Sequence, residues 1–337
     1  MIQEILGRVS GGQDLAMEEM ADTIGSIMEG QWEESQIALL LTGLTAKGET
    51  VDEIAGAASA MRRHMTKIPT SRTGLLDTCG TGGDGSETFN ISTAAAIVTA
   101  AAGVAVAKHG NRSVTSKSGS ADVLAALGVN IEASVEQCAA CLDEVGICFC
   151  FAPLMHKSMK HVGPVRKKLG VPTIFNMLGP LCNPVSAEYQ LIGVGKPHLR
   201  NKLAAALQKL ETNRAVVVAG DDGLDEVTLC AATNCTQATA DGLQEFQWTP
   251  EEFGLTRAAD LNSMRVTTPE ASAAVIKSVL DGESGPSRDI VVLNSAAAIW
   301  TVDPSKSPLD CTKQAQEAID SGTAKETVKR LAACSHG

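Results

Sequence analysis

The sequence predicts an α/β protein: a small N-terminal helical domain followed by a large α/β domain with a mainly parallel central sheet. Three observations carry that expectation. A chain of 337 residues is longer than one core usually serves, so two domains, or one large domain with an appendage, are expected. Residues 1–70 read as helices alone. From Leu75 onward, strands, glycine-bearing loops and helices alternate, the pattern of a parallel sheet with helices on its faces.

In the N-terminal segment, "SQIALLLTGLTAKG" carries an apolar stripe at helical spacing. Thr50-Val51-Asp52-Glu53 is a capping box that opens "VDEIAGAASAMRRHM". Pro69 and "TSRTG" mark a linker, which places the larger domain at 71–337. There "LLDTC" is a short strand, followed by a glycine loop and the helix "STAAAIVTAAAG". "VAVAK" is a second strand, followed by the loop "HGNRSVTSKSGS" and the helix "ADVLAALG". "SVEQ" caps a further helix before the strand "ICFCFA". "QLIGVG" and "RAVVVAG" read as strands on either side of the helix "PHLRNKLAAALQKL". The Lys-, Arg-, Gly- and Pro-rich stretch "HKSMKHVGPVRKKLGVPTIFNMLGPLCNP" reads as a crossing segment between domains. "TPEE" and "TPEA" each start a helix, with threonine as cap and proline in the first turn.

Charge and composition exclude several function classes. A formal net charge of −11 and only 3% aromatic residues argue against nucleic-acid or anionic-membrane partners. Any anionic ligand must therefore be held by local basic groups or a metal. "MIQEILGRVSGG" lacks the pattern of a signal peptide, and "ISTAAAIVTAAAGVAVA" is broken by threonine and glycine, so a cytoplasmic protein is expected. The 10 cysteines are scattered. Cys138-x-x-Cys141 lies in a helical pattern without a second pair at metal-ligand spacing, and Cys148 and Cys150 alternate along a strand. They read as small buried hydrophobes, with no zinc.

Three loops carry the chemistry. In "DTCGTGGDGSETFN", Gly80-x-Gly82-x-x-Gly85 matches the dinucleotide fingerprint, and Gly80-x-x-x-x-Gly85 matches a P-loop lacking its lysine. The dinucleotide reading fails because Ser86 to Ile91 intervene before the helix and the next strand ends in Lys108, not an acid. Both motifs still expose backbone N–H groups to an anion near a helix N-terminus. Ser92 or Thr93 could simply cap that helix, or hold a phosphate or hydrated metal there. The second loop, "KHGNRSVTSKSGSAD", is basic and hydroxyl-rich. It is either a solvated loop or, beside the glycine loop on a parallel sheet, half of a polyphosphate site. In "GDDGLDEVTL", Asp225 and Glu226 are either plain solvated acids or, facing a polyphosphate, partners of a divalent cation such as Mg²⁺.

The motifs "GTGGDGSETFNIST", "KHGNRSVTSKSGSAD", "MKHVGPVRKKLG", "TIFNMLGPLCNP" and "GDDGLDEVT", in this order, closely resemble those of the anthranilate phosphoribosyltransferases. The resemblance covers nearly the whole chain. It implies a nucleoside phosphorylase-like phosphoribosyltransferase fold whose helical domain is rejoined by part of 160–188 and forms a homodimer. It also implies phosphoribosyl pyrophosphate (PRPP) and anthranilate as substrates in tryptophan biosynthesis, with Mg²⁺. Carried over position by position, Gly80, Gly83, Asp84 and Thr88 would bind PRPP, with Asn90, Ile91, Ser92 and Thr93. So would Lys108, His109, Gly110, Asn111 and Arg112, then Ser113, Val114, Thr115, Ser116 and Ser120. Ser92, Asp225 and Glu226 would hold Mg²⁺. Gly80, Asn111 and Arg166 would meet anthranilate, with His109 and Pro180 nearby. No acid or base is assigned.

Two positions depart from the family's pattern: Lys157 stands after His156 where proline is common, and Pro172-Thr173 replaces Arg-Thr. A pyrimidine nucleoside phosphorylase on the same fold usually carries a lysine shortly after the glycine loop, and "GDGSETFN" has none. A non-enzymatic nucleic-acid-binding relative fits a net charge of −11 poorly.

Overall fold

The computed structural model describes residues 2–112 and 118–337. Its N-terminal part is a bundle of α1 (Ile2–Ser10), α2 (Met17–Met28), α3 (Glu34–Lys47) and α4 (Val51–His64). The capping box at α4 forms as expected: Thr50 Oγ1 accepts from Glu53 N (3.2 Å), and the Glu53 carboxylate accepts from Thr50 N (2.9 Å). Glu53 is fully buried, yet its oxygens also take Leu15 N (3.0 Å) and Lys47 Nζ (2.7 Å), which compensates the buried charge. Gly56 lets α4 lie close on α2, since a Cβ there would stand 2.2 Å from Met17 O.

The larger part holds one seven-stranded sheet in the order β3-β2-β1-β4-β5-β6-β7. β1 (Leu76–Gly80), β2 (Val106–Gly110), β3 (Ile147–Phe151), β4 (Tyr189–Gly193) and β5 (Arg214–Gly220) run parallel, at the positions the apolar runs predict. Two antiparallel strands, β6 (Thr233–Thr239) and β7 (Gly242–Trp248), of which β7 forms the edge, were not expected. β6 is buried or half-buried throughout and β7 is mostly exposed, and Asp241-Gly242 at their turn was the available signal. "TPEA" does open a helix, at Pro269–Leu280. "TPEE" gives only the single 3₁₀ turn Pro250–Phe253, stopped by Gly254 in a left-handed conformation (φ 70°).

Helices cover both faces. One core is built by α5 (Ile91–Ala101), α6 (Ser120–Ala126), α7 (Val135–Ala140), and, beyond β7, α12 (Pro269–Leu280), α13 (Pro286–Val302), α14 (Pro308–Asp320) and α15 (Thr323–His336). The other core joins the N-terminal bundle to α11 (Arg200–Lys209) and the opposite sheet face. Between β3 and β4 the chain forms α8 (Ala152–Met155), α9 (Gly163–Leu169) and α10 (Phe175–Leu178). Val162, Val165, Ile174, Phe175 and Leu178 from this crossing segment lie in this same second core.

All ten cysteines are free, and most are buried. Among the described residues no helix is long and apolar enough to cross a membrane. From β1 the chain steps to β2 and β3 on one side, and from β4 to β5 on the other. The sheet's switch point is therefore the β1–β4 seam, where an α/β sheet opens a crevice at the strands' C-terminal ends.

Candidate active site

A cleft of about 770 Å³ opens at that seam, walled by the loops after β1, β2 and β5 and by the crossing segment. The glycine loop leaves β1 through Gly82, Gly83 and Gly85, all at positive φ (66°, 83° and 71°), where side chains are strained. Gly80 serves a different purpose, since a Cβ there would stand 3.1 Å from Asp225 Oδ2. The residues that separate this loop from a dinucleotide motif are pinned from below. Phe89 is buried, Thr88 bridges to Arg265, and Phe89 N donates to Met264 O (2.9 Å). Asn90 Oδ1 accepts from Ser118 Oγ (2.7 Å) and Ser272 Oγ (2.8 Å), fastening the first loop to the second and to α12.

Neither Ser92 nor Thr93 caps α5. Asn90 occupies the cap position without a side-chain cap bond, and Ser92 N donates to Glu226 Oε1 (3.1 Å). A carboxylate from the third loop thus sits against the positive end of the helix. Beneath it, buried Lys108 donates from Nζ to Thr78 O and reaches Ser92 Oγ (3.4 Å). Burial pushes the Lys108 ammonium down, opposed by the charges of Asp77 and Glu226. Burial raises Asp77 in turn, although its Oδ1 accepts from His109 N (3.1 Å).

Three acids converge here. Asp225 N donates to Asp84 Oδ2 (3.4 Å). Burial, with repulsion from Asp84 and Glu226, lifts the Asp225 carboxyl well above the usual range. Burial also pushes Glu226 up to about 7, against the pull of Lys108. Acids raised in this way are short of positive charge, so the donor set fits a divalent cation. Among the described residues, no three His, Cys, Asp or Glu side chains are grouped to hold a metal by themselves. Mg²⁺ keeps waters and takes phosphate oxygens beside one or two carboxylates.

The opposite wall is cationic and aromatic. Arg166, near the end of α9, lies over the Phe175 ring (5.7 Å) and within 3.4 Å of Asn176 Oδ1. Asn176 Oδ1 also accepts from Thr173 N (3.0 Å), so the segment holding the Pro172-Thr173 departure helps aim Arg166. No carboxylate among the described residues pairs with Arg166. His109 and His156 meet at Nε2···Nε2 3.2 Å, and His109 Nδ1 contacts Gly179 O (3.0 Å). Burial lowers His109 to about 3 and His156 to about 4, so both rings are neutral near pH 7. Asn111, Pro180 and exposed Lys157 also line this side.

The cleft brings together Gly80, Gly83, Asp84, Thr88, Asn90, Ile91 and Ser92 with Lys108 to Arg112, Ser120, Arg166, Pro180, Asp225 and Glu226. Thr93 does not line it: its hydroxyl is buried without a hydrogen-bond partner. Ser113, Val114, Thr115 and Ser116 lie outside the described residues. Gly193 and Gly195 passed as ordinary strand residues in the sequence, yet a Cβ would stand 1.5 Å from Asp225 O at Gly193 and 2.8 Å from Asp84 N at Gly195. Their smallness admits the acidic loops, and no sequence pattern announces it.

Residues 72–325 match the model of the glycosyl transferase family a/b domain, and residues 3–65 match that of the family's helical bundle domain. An anthranilate phosphoribosyltransferase of Rhodopirellula baltica is 48% identical over 322 residues, covering 96% of this chain and 94% of the relative. The crystal structure of the Thermus thermophilus anthranilate phosphoribosyltransferase superimposes with a TM-score of 0.92 at 39% identity, covering 99% of both chains. The Saccharomyces cerevisiae enzyme in complex with PRPP and Mg superimposes at 0.90 with 28% identity, covering 99% of this chain and 98% of that one. In complex with 4-fluoroanthranilate, the same yeast enzyme superimposes at 0.89 with 26% identity, covering 99% and 97%.

Proposed function

The chain belongs to the glycosyl transferase family as an anthranilate phosphoribosyltransferase, and we propose that the cleft at the β1–β4 seam is where it joins its substrates. The reaction transfers the phosphoribosyl group of PRPP to the amine of anthranilate. It gives N-(5-phosphoribosyl)anthranilate and pyrophosphate, the second step from chorismate to tryptophan. The observation that carries the site assignment is the meeting of Asp84, Asp225 and Glu226 with Lys108 under the glycine loop.

Bond breaking at C1 develops oxocarbenium character, so the protein's task is to stabilise the departing pyrophosphate and aim the amine. Backbone N–H groups of the glycine loop would donate to phosphate oxygens, and Lys108 adds a buried cation. When bound, Mg²⁺ would neutralise the pyrophosphate as a Lewis acid, held through Ser92, Asp225 and Glu226. Across the cleft, Arg166 offers the acceptor's carboxylate two parallel hydrogen bonds, and Asn111 and Pro180 restrict how its ring lies. The aryl amine is a neutral nucleophile at pH 7, so no covalent intermediate is required. Ser113 to Ser116 complete the family's phosphate loop in this reading.

The same reading divides the chain into a helical domain, 1–70 with part of 160–188, and an α/β domain, 71–337. It makes the protein a cytoplasmic homodimer through the helical domain, for which exposed Leu39 on α3 is suitable contact surface. Purified protein mixed with Mg²⁺, PRPP and anthranilate should consume anthranilate fluorescence only when the donor is present. Donor-independent behaviour would reject the assignment.

A further inference from the structure

Between α10 and β4 the chain makes one 3₁₀ turn, Gly179–Leu181, whose first two residues line the cleft. Three consecutive carbonyls of this turn are each held by a side chain from a different part of the fold. Gly179 O, which also closes the turn with Cys182 N (3.2 Å), faces His109 Nδ1 of β2 at 3.0 Å. Pro180 O accepts from Gln190 Nε2 of β4 at 2.7 Å. Leu181 O accepts from Arg62 Nε of α4 at 2.7 Å, and Arg62 Nη1 reaches Leu210 O at 3.3 Å. Neither Arg62 nor Gln190 touches the cleft. Arg62 is mostly withdrawn from water without a carboxylate partner among the described residues, and Gln190 is buried with its Oε1 unpartnered. Burying a guanidinium and half an amide at a loss is unusual for packing alone, so both side chains are committed to the turn.

We propose that Arg62 and Gln190 are positioning residues for the aromatic acceptor, fixing from behind where Pro180 stands in the cleft. This rests on the acceptor reading given above. Holding successive carbonyls leaves the turn little freedom to rotate, and Pro180 has no N–H through which to be anchored otherwise. Because Arg62 belongs to the N-terminal bundle, the acceptor wall takes its place from the bundle as well as from the sheet.

The test compares Gln190→Met, Arg62→Met and Arg62→Lys with the wild type. Gln208→Met serves as control, since Gln208 Nε2 donates to Thr239 O (3.1 Å) far from the cleft. Gln190→Met should fold readily, because it also removes the unpartnered Oε1. Each Met variant at the turn should raise KM for anthranilate about three- to tenfold, the size of one lost hydrogen bond. KM for PRPP and kcat should stay within about twofold, and the ¹⁹F resonance of bound 4-fluoroanthranilate should shift. Arg62→Lys, which keeps one donor, should restore most of the loss. The double Met variant should lose less than the product of the singles, since both hold one turn. Equal rises in both KM values, or lowered Tm with both KM values and the ¹⁹F shift unchanged, would overturn the proposal. A wild type that binds neither substrate would instead reject the acceptor reading.

Discussion

Replacing Glu226 by glutamine should stabilise the ligand-free protein while disabling it. The Glu226 carboxyl is pushed from 4.5 up to about 7, with burial as the largest cause. A folded-state value above the unfolded one means that folding takes up a proton between them. Stability therefore falls as pH rises from about 4.5 through about 7. At about 1.36 kcal/mol per unit, the ionised group costs the empty fold about 3 kcal/mol at pH 8, and nothing where it is neutral in both states. Glutamine cannot ionise, but its Oε1 can still accept from Ser92 N. By scanning calorimetry with EDTA, the variant should melt roughly 4–5 °C above the wild type at pH 8, with the gap shrinking toward pH 5. Added Mg²⁺ and pyrophosphate should raise the wild-type Tm and leave the variant's nearly unmoved. A variant that melts lower at every pH, or by a constant offset, would refute the claim that this carboxylate is held against its solvation.

Other perturbations separate the parts of the molecule. Arg166→Ala should raise KM for anthranilate about ten- to a hundredfold and KM for PRPP far less, as loss of a charged hydrogen-bonding partner implies; the opposite ranking in steady-state kinetics would count against the carboxylate role. Gly193→Ala should abolish Mg²⁺-dependent turnover, because its Cβ would occupy the space of Asp225 O; an active variant would show that the acidic loop can move aside. His109 and His156 are depressed to about 3 and about 4, so the unfolded chain binds more protons than the fold below pH 6.5. Their contribution is complete above pH 6.5 and lost as pH falls through the folded values, so His156→Phe should flatten the acid limb of Tm against pH. Glu53→Ala would leave Lys47 buried without that partner and should cost about 3–5 kcal/mol in denaturant melts, with kcat of the folded fraction unchanged.

The parallel strands were legible because strands buried on both faces are continuous apolar runs, as in "RAVVVAG" and "ICFCF". β6 and β7 were missed because they mix polar and apolar residues and so resemble loops. The phosphate loop was legible because positive-φ glycines concentrate in one short stretch. Thr93 shows the limit of reading a motif as a string: one residue beyond Ser92 in a helix is a turn of about 100°, which takes the side chain from cleft to core. Arg62 and Gln190 could not be found at all. Their bonds to carbonyls 119 and 10 residues away depend on where a turn lands after folding, and leave no spacing in the sequence.

The two halves of the cleft are held by different forces, and that decides how each responds to substitution. On the donor side, buried Lys108 and Asp77 and half-buried Asp225 and Glu226 are titratable groups whose charges balance only when a polyanion and its cation complete the set. Removing one leaves another unpaired in a low dielectric, so effects there should be large, coupled and pH-dependent. On the acceptor side, the wall at Gly179–Leu181 hangs on hydrogen bonds to main-chain carbonyls, of which only Arg62 supplies a charge. Losses there should be modest and nearly independent of pH, and should read out as geometry, in which ring substituents are admitted. Lys157 stands on this same wall, exposed and without an ion pair among the described residues. Changes in acceptor preference should therefore arise on the crossing segment, where one substitution does not unbalance the buried charges across the cleft.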